Sequence, residues 1–431
     1  MRLALLTPGT GHYYCGSCLR DSALARGLVR LGQDVESVPL YLPFVLEEHG
    51  QDERLPVHMG GINMFLQHKL PLAARAPGWM RNLLDAPGLL RWAASLGSMT
   101  DASQLGELTL STLRGEDGRQ ASALRELVAW LAGRELPDVI CLSNVMLVGV
   151  VRSLKRELGR PVVCTLQGEA PFLDALPAPH RSEAWAMTAE RAADIDAFVP
   201  VSHHYGELMR RRLQLRPERV HVVHNGIEPT DLVTRTLDDQ PAVPTLGYLA
   251  RMCVDKGLLT LVEAYIALRQ RGRVGHLRLR VAGAMLAVDR PLVEALRRRL
   301  EERGLGADVE FLPNVERHQK VAFLRSLSVL SVPATYGESF GLYLLEAMAA
   351  GVPVVQPRHG AFPEILEATG GGLLCEPDDA DSLADGLERL LLDPAEARTL
   401  AERGRRAVLE RFSVERMARG FLDVCTRVAQ Q

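Results

Sequence analysis

In the first part of the chain, short apolar runs alternate with stretches of helical periodicity. Residues 3–6 are a continuous apolar run, a glycine-rich segment follows, and apolar positions then recur at helical spacing from about 17 to 31. This predicts strand, loop and helix in succession. Further strands are predicted at 35–38, 139–142, 162–166 and 198–201, with helical patterns at 124–133 and 147–158 and another helix after 201. A strand is also expected at 220–223, just before the turn dipeptide Asn225-Gly226. Such alternation argues for a parallel α/β sheet. Residues 61–130 break the rhythm, with prolines at 71, 77 and 87, and read as an inserted helical region.

Segment 228–244 is polar and proline-bearing and reads as a linker. Beyond it the alternation resumes. Strands are expected at 244–249, 277–282, 309–311, 327–332 and 352–355, and helices at 257–271, 291–304, 317–326 and 342–350. The pattern predicts two doubly wound α/β domains, residues 1–228 with the helical insertion and residues 229–413. A final helix over 414–431 is expected to pack back on the first domain. Two such domains facing across a cleft suit a ligand held at the carboxyl ends of both sheets.

Two segments of the second domain carry candidate chemistry. Gly247-Tyr-Leu-Ala-Arg251-Met-Cys-Val-Asp-Lys256-Gly257 runs from a strand into a helix. Cations at a helix N-terminus oppose the macrodipole by about 0.3–1 kcal/mol each, unless an anion lies between them and the helix amides. A diphosphate meets that description; a solvated loop with two outward charges is the plainer alternative. The second segment is Tyr336-Gly337-Glu338-Ser339-Phe340-Gly341-Leu342, with Glu346 one turn further on. Gly341 lets the backbone pass close to a ligand, and a helix opening near Leu342 has free amides in its first turn. Glu338 and Glu346 can accept hydrogen bonds from vicinal hydroxyls of a ribose or sugar ring. The alternative is that the two carboxylates only favour the helix start electrostatically.

This second segment resembles the donor-binding signature of the retaining, GT-B-fold glycosyltransferases of family 4. That signature is two glutamates separated by seven residues and followed by Ala-Met-Ala-x-Gly-x-Pro-Val; Glu338, Glu346 and Ala347-Met348-Ala349-Ala350-Gly351-Val352-Pro353-Val354 match it. Arg251, Lys256, Asn225-Gly226 and Glu364, the last expected in the loop after the next strand, match as well. The resemblance implies a GT-B fold of two Rossmann-like domains. It implies metal-independent transfer, with retention, of a hexose-type sugar from a UDP- or GDP-sugar to an unknown carbohydrate or lipid-linked acceptor. On the same resemblance, Arg251 and Lys256 hold the diphosphate and Glu346 the ribose. Glu338 and the backbone of Ser339, Phe340, Gly341 and Leu342 hold the transferred sugar, and the backbone near Val315 touches the base. The nucleotide-sugar is then a substrate, and no cofactor or metal is implied.

The first domain departs from the family pattern at two places. Its loop reads Thr7-Pro-Gly9-Thr-Gly11-His12-Tyr-Tyr14-Cys15-Gly16, which is no dinucleotide fingerprint because Tyr14 takes the third glycine position. The family carries a Gly-Gly pair here, and Cys15-Gly16 keeps only the second; Gly16 is expected at the donor and His12 in an acceptor or loop position. Cys15-Gly-Ser-Cys18 opens a helix, whose dipole lowers thiol pKa. No second C-x-x-C exists to complete a zinc site, so a structural or subfamily role is expected. The family's histidine after the strand at 161–166 is replaced by Gln167, in Leu166-Gln167-Gly168-Glu169. Glutamine can bond a sugar hydroxyl but cannot titrate; Gln167 or Glu169 is expected to contact the sugar.

Composition narrows the remaining options. With 50 basic and 53 acidic residues the net charge is −3, which gives no cationic field for nucleic acid. Asp194-Ile-Asp196 has metal-motif spacing but runs into an apolar strand; Asp378, Asp379 and Asp381 are expected to cap a helix, and His203 and His204 read as structural. Only Lys69, Lys155, Lys256 and Lys320 are lysines, against 46 arginines, so the lysine at 256 stands out. No apolar run reaches the length of about eighteen residues that a membrane span needs. The first run is too short for a signal peptide, and the seven cysteines then fit a reducing cytoplasm. Residues 61–100 hold Lys69, Arg75, Arg81 and Arg91 against Asp85, with Phe65, Trp79 and Trp92. They read as a helical lid on the acceptor side or as a peripheral contact with the inner face of an anionic membrane. The alternative function is a nucleotide-sugar-binding GT-B protein with epimerase activity or without catalysis.

Overall fold

The computed structural model describes residues 1–9, 16–41, 102–232 and 241–431. His12, Cys15 and the part of the expected helical insertion up to 101 lie outside them. The chain divides into two compact units, Met1–His224 together with Met417–Gln431, and Asn225–Arg416.

The first unit is built on five parallel strands: β1 (Arg2–Thr7), β2 (Asp34–Pro39), β3 (Val139–Leu142), β4 (Val162–Leu166) and β5 (Ala197–Pro200). Their order is β2-β1-β3-β4-β5. Every residue of β3, β4 and β5 is buried, as apolar runs in a sheet covered on both faces require. The described helices are α1 (Gly16–Arg30), α2 (Ala102–Arg114), α3 (Ala121–Ala132), α4 (Val151–Leu158), α5 (Ala170–Asp174), α6 (His180–Ala192) and α7 (His203–Arg212). The helix expected over 147–158 is divided: the Asn144 side chain accepts from Met146 N at 3.0 Å and opens a 3₁₀ stretch, Val145–Val150, ahead of α4. Ser202 caps α7 by accepting from Tyr205 N at 3.0 Å. Segment 220–223 is not a strand and makes one isolated bridge, Phe198 to Val220. Its amides at His221 and Val223 donate to Phe198 O and Pro200 O, but Pro200 has no N–H to return.

The last helix, α15 (Val414–Ala429), contributes its residues from Met417 onward to this unit. Phe421 is buried with the Arg20 guanidinium 5.7 Å from its ring centre, and Cys425 Sγ lies 3.9 Å from Cys141 Sγ on β3.

The second unit has six parallel strands: β6 (Thr245–Leu249), β7 (Arg278–Gly283), β8 (Val309–Pro313), β9 (Val329–Leu330), β10 (Val354–Pro357) and β11 (Gly372–Cys375). The order is β11-β10-β9-β6-β7-β8. The chain therefore winds outward from β6 in one direction, then in the other, and the switch point falls between β6 and β9. Helices α8 (Leu258–Arg271), α9 (Arg290–Glu301), α10 (Arg317–Arg325), α11 (Leu342–Ala349), α12 (Phe362–Thr369), α13 (Ala380–Leu392) and α14 (Pro394–Arg411) make the connections and the outer layers. Strand β9 is shorter than the expected 327–332. At one end Thr245 N donates to the Ser328 side chain, and beyond Leu330 the chain reaches Pro333, which has no amide. Glu364 lies in the first turn of α12 rather than in a loop; Pro363, whose fixed φ suits a helix and whose missing N–H costs nothing in a first turn, is the second residue of that turn. Asp379 caps α13 by accepting from Ser382 N at 2.9 Å. Among the described residues no helix is long and apolar enough to cross a membrane.

Candidate functional site

The carboxyl ends of β6 and β9 lead into the two loops that flank the switch point of the second unit. The first loop passes Arg251 and turns through Val254–Lys256 to Gly257, whose φ is +70°. A Cβ on Gly257 would lie 1.7 Å from Pro333 O, so only glycine lets the two loops touch. Thr335 N donates to Asp255 O at 3.0 Å across the same seam. This contact brings Lys256 to Glu338. The Lys256 ammonium donates to Glu338 Oε2 and to the Tyr336 hydroxyl, and stands 4.8 Å from the centre of the Tyr336 ring and 5.9 Å from that of Tyr343. The Tyr343 hydroxyl donates to Glu338 Oε2 at 3.0 Å. Behind it the Glu338 backbone is fixed: its carbonyl accepts from Ala361 N at 2.9 Å, and a Cβ on Gly360 would meet Glu338 N at 2.5 Å.

The electrostatics follow from this enclosure. Burial works against the charged form of Lys256, but Glu338 and Tyr336 outweigh it and hold the ammonium above its ordinary value. Burial, reinforced by Glu338 and opposed by Lys256, pushes the Tyr336 hydroxyl up to about 12. Tyr343 is raised by burial and by Glu338. The cluster is therefore one cation, one carboxylate and two neutral hydroxyls, able to offer both donors and acceptors to a polyhydroxylated anion.

Two further groups stand on neighbouring elements. Arg251 forks onto Asp289, with Nε and Nη2 each 2.9 Å from a carboxylate oxygen. Asp289 is 5% exposed and also accepts from Leu286 N at 2.9 Å, so it fixes the plane of the guanidinium; that bond raises the Arg251 pKa. Helix α11 begins after Gly341, at φ +91°, and carries Leu342, Tyr343 and Glu346. Glu346 Oε1 accepts from Lys320 Nζ, on α10, at 2.6 Å. Half-buried Val315 sits in the turn between β8 and α10. Ser339 and Phe340 are buried in the loop before α11. Met252, next to Arg251, helps line a cavity of about 190 Å³ with Met285, Val293, Arg297, Phe311 and Pro313.

The carboxyl edge of the first unit is built differently. Asp21 on α1 pairs with Arg20 at 3.2 Å and accepts from the Ser143 hydroxyl, and Gln167 Nε2 donates to Asp21 Oδ1 at 2.8 Å and to Ser143 O at 2.7 Å. Arg20 also reaches Thr165 Oγ1 at 3.3 Å. Burial pushes the Asp21 carboxyl above its ordinary range, against the pull of Arg20, Ser143 and Gln167. Glu169 accepts from the amides of Val145, Gln167 and Gly168, at 2.9–3.3 Å, and from the Tyr205 hydroxyl at 2.8 Å. Gln167 and Glu169 are thus 8% and 7% exposed, and both amide hydrogens of Gln167 and the Glu169 oxygens are engaged within the protein. Gly16 is the first residue of α1, and Cys18 Sγ donates to Gly9 O at 3.6 Å. Asp194 is bonded to Arg152 at 2.6 Å, and Asp196 to Lys155 at 2.7 Å.

Residues 237–407 match the family model described as glycosyl transferases group 1, and residues 109–231 match that described as glycosyltransferase family 4. The chain belongs to the family 4 glycosyltransferases. Among curated relatives, it is 31% identical over 201 residues to the D-inositol 3-phosphate glycosyltransferase of Corynebacterium jeikeium, a match covering 47% of this chain and 42% of that one. It is 32% identical over 243 residues to the MMP alpha-(1->4)-mannosyltransferase of Mycolicibacterium hassiacum, covering 54% of each. The chain thus spans about half the length of the curated relatives it matches. Its fold is GT-B. Sucrose-phosphate synthase from Thermosynechococcus elongatus aligns with a TM-score of 0.72 at 19% identity, covering 99% of both chains. Anabaena HepE, in complex with UDP, aligns at 0.69 and 16% identity, covering 99% of this chain and 100% of that one.

Three partners of the predicted site residues escaped the sequence reading: Lys320, Asp289 and Tyr343. Lys320 carried a signal, being one of the four lysines in an arginine-rich chain. Tyr343 lies inside the quoted motif but reads there as an apolar helix position. Nothing local marks Asp289, which lies 38 positions from the arginine it holds.

Proposed function

We propose that the protein moves a hexose-type sugar from a nucleoside diphosphate sugar to a hydroxyl of a carbohydrate or lipid-linked acceptor, with retention and without a metal ion. The observation that supports this most is the meeting of Lys256 with Glu338 at the switch point of the second unit. It puts a charge suited to a diphosphate against a carboxylate suited to sugar hydroxyls. In this reading Arg251, held by Asp289, and Lys256 take the diphosphate. Glu346 takes the ribose, and the backbone near Val315 the base. Glu338 and the backbone of Ser339, Phe340, Gly341 and Leu342 take the sugar.

The bond from the anomeric carbon to the diphosphate oxygen breaks as the acceptor oxygen bonds to that carbon on the same face. The acceptor proton passes to the departing phosphate oxygen. The protein contributes positioning and stabilisation of the charge on the leaving group, with Arg251 and Lys256 in the place a metal ion would take. Gln167 and Glu169 act through the loop that they hold rather than as bases.

The test is a thermal-shift panel of UDP-, GDP- and ADP-sugars, followed by transfer assays with NMR of the product anomer. A donor should raise the melting temperature progressively above its dissociation constant, and the product should keep the donor's anomeric configuration. No shift with any nucleotide-sugar rejects the reading; a shift without turnover on any acceptor or water leaves a binding protein; an inverted product rejects the front-face step.

A further inference from the structure

Glu346 has a partner of its own. Its Oε1 accepts from Lys320 Nζ at 2.6 Å, with the two side chains 19% and 23% exposed. Of the three lysines in the described residues, Lys155 binds Asp196, whereas Lys256 and Lys320 end on the two glutamates of the site. An arginine fork would span both oxygens of a carboxylate, whereas the Lys320 ammonium engages one oxygen of Glu346. Lys320 sits in the first turn of α10, with its backbone N bonded to Glu316 O at 2.8 Å. It is therefore anchored beside the turn that holds Val315.

We propose that Lys320 is a positioning residue for recognition of the nucleotide ribose. This rests on the assignment of Glu346 to the ribose made above. Lys320 fixes one oxygen of Glu346, so that the carboxylate meets the 2′- and 3′-hydroxyls in one orientation. It also balances the negative charge of Glu346 where a diphosphate must approach. Without the ammonium, the carboxylate turns among several rotamers and repels the phosphates.

The test is calorimetric binding of UDP, GDP and ADP and of their 2′-deoxy forms to the full chain, as wild type, Lys320→Met, Lys320→Arg and Glu346→Gln. A hydrogen bond to a charged group predicts that wild type prefers the ribo-form of its diphosphate by about tenfold or more. In Lys320→Met that ratio should fall to about twofold, close to the ratio in Glu346→Gln, and Lys320→Arg should lie between. If Lys320→Met weakens both forms by the same factor, or leaves both unchanged, the ratio stays at the wild-type value. Lys320 then has no part in reading the ribose, even while Glu346→Gln abolishes the preference. A wild type without ribo-preference instead refutes the assignment of Glu346 itself, and the role of Lys320 falls with it. Melting curves check that each variant is folded.

Discussion

The carboxyl edges of the two sheets occupy the same topological position and carry similar residues, yet their carboxylates are bonded to different kinds of group. In the first unit Glu169 is tied to three backbone amides and a tyrosine, and Asp21 to a neighbouring arginine, a serine and Gln167. In the second unit Glu338 and Glu346 each face a lysine ammonium, and Arg251 is half-exposed at 42%. A bond to a backbone amide cannot be exchanged for a ligand without unfolding the loop. A bond to a part-exposed side chain can be, because an incoming phosphate or hydroxyl replaces the partner in kind. Lys256, Lys320 and Arg251 are such partners, at 20%, 23% and 42% exposed, whereas the side-chain partners of Asp21 are all buried. On the proposed function, the first edge is the scaffold and the second the binding surface.

The largest effect that could break this contrast is on stability. Asp21→Ala removes the carboxylate that pairs with the buried Arg20, and loss of one partner of a buried pair costs about 3–5 kcal/mol. Urea unfolding should show that loss; a change below about 1 kcal/mol would remove the scaffold role. Next comes activity. Glu338→Gln keeps the shape of the site but removes the charge, and loss of one preorganised electrostatic group lowers kcat by about 10²–10³-fold. Stability should fall as well, since Lys256 loses its carboxylate partner, but by less than in Asp21→Ala, because Lys256 is 20% exposed and the glutamine can still accept from Tyr343. A large loss of stability with modest loss of rate would place Glu338 with the scaffold.

What was legible in the sequence follows the same division. The apolar runs that become β1, β3, β4 and β6 could be read because each is buried on both faces, and Glu338, Glu346, Arg251 and Lys256 lie in local segments of recognisable spacing. The runs at 220–223 and 327–332 misled because proline and serine, not hydrophobicity, decide where pairing stops. The state of Gln167 could not be read at all. Its orientation is set by Asp21, 146 positions away, and no local pattern reports a bond of that span. Lys320 escaped for the same reason, with its partner on another helix.

Gln167→Ala sharpens the contrast at intermediate size. A scaffold role predicts a stability loss of about 1–3 kcal/mol, from leaving Asp21 and Ser143 O short of a donor, together with a fall in rate. A fall in rate at unchanged melting temperature would return Gln167 to direct contact with the sugar. Lys256→Arg probes the other edge. The ammonium sits between two tyrosine rings and Glu338, and a planar fork has other donor directions. Donor affinity and turnover should drop by about tenfold, as read by steady-state kinetics. Near-normal values would reduce the lysine at 256 to a consequence of the chain's arginine-rich composition.

The smallest effect is a pH dependence that should be missing. Lys256 is held above its ordinary value of 10.5 because Glu338 and Tyr336 outweigh its burial. A raised value means that the pair's contribution to stability is complete below 10.5 and is lost only as pH rises through the raised value. Nucleoside diphosphate affinity in wild type should then stay level from about pH 7 to about pH 9, below the ionisation of a uracil or guanine ring, and Tyr336, at about 12, adds no titration in that window. Glu338→Gln removes the charge that offsets burial, so the lysine should deprotonate below its ordinary value. In that variant affinity should decline within the same window, whatever the catalytic rate. Equal, level profiles for both proteins would mean that the Lys256 charge does not depend on Glu338, and that the two are neighbours without being a working pair.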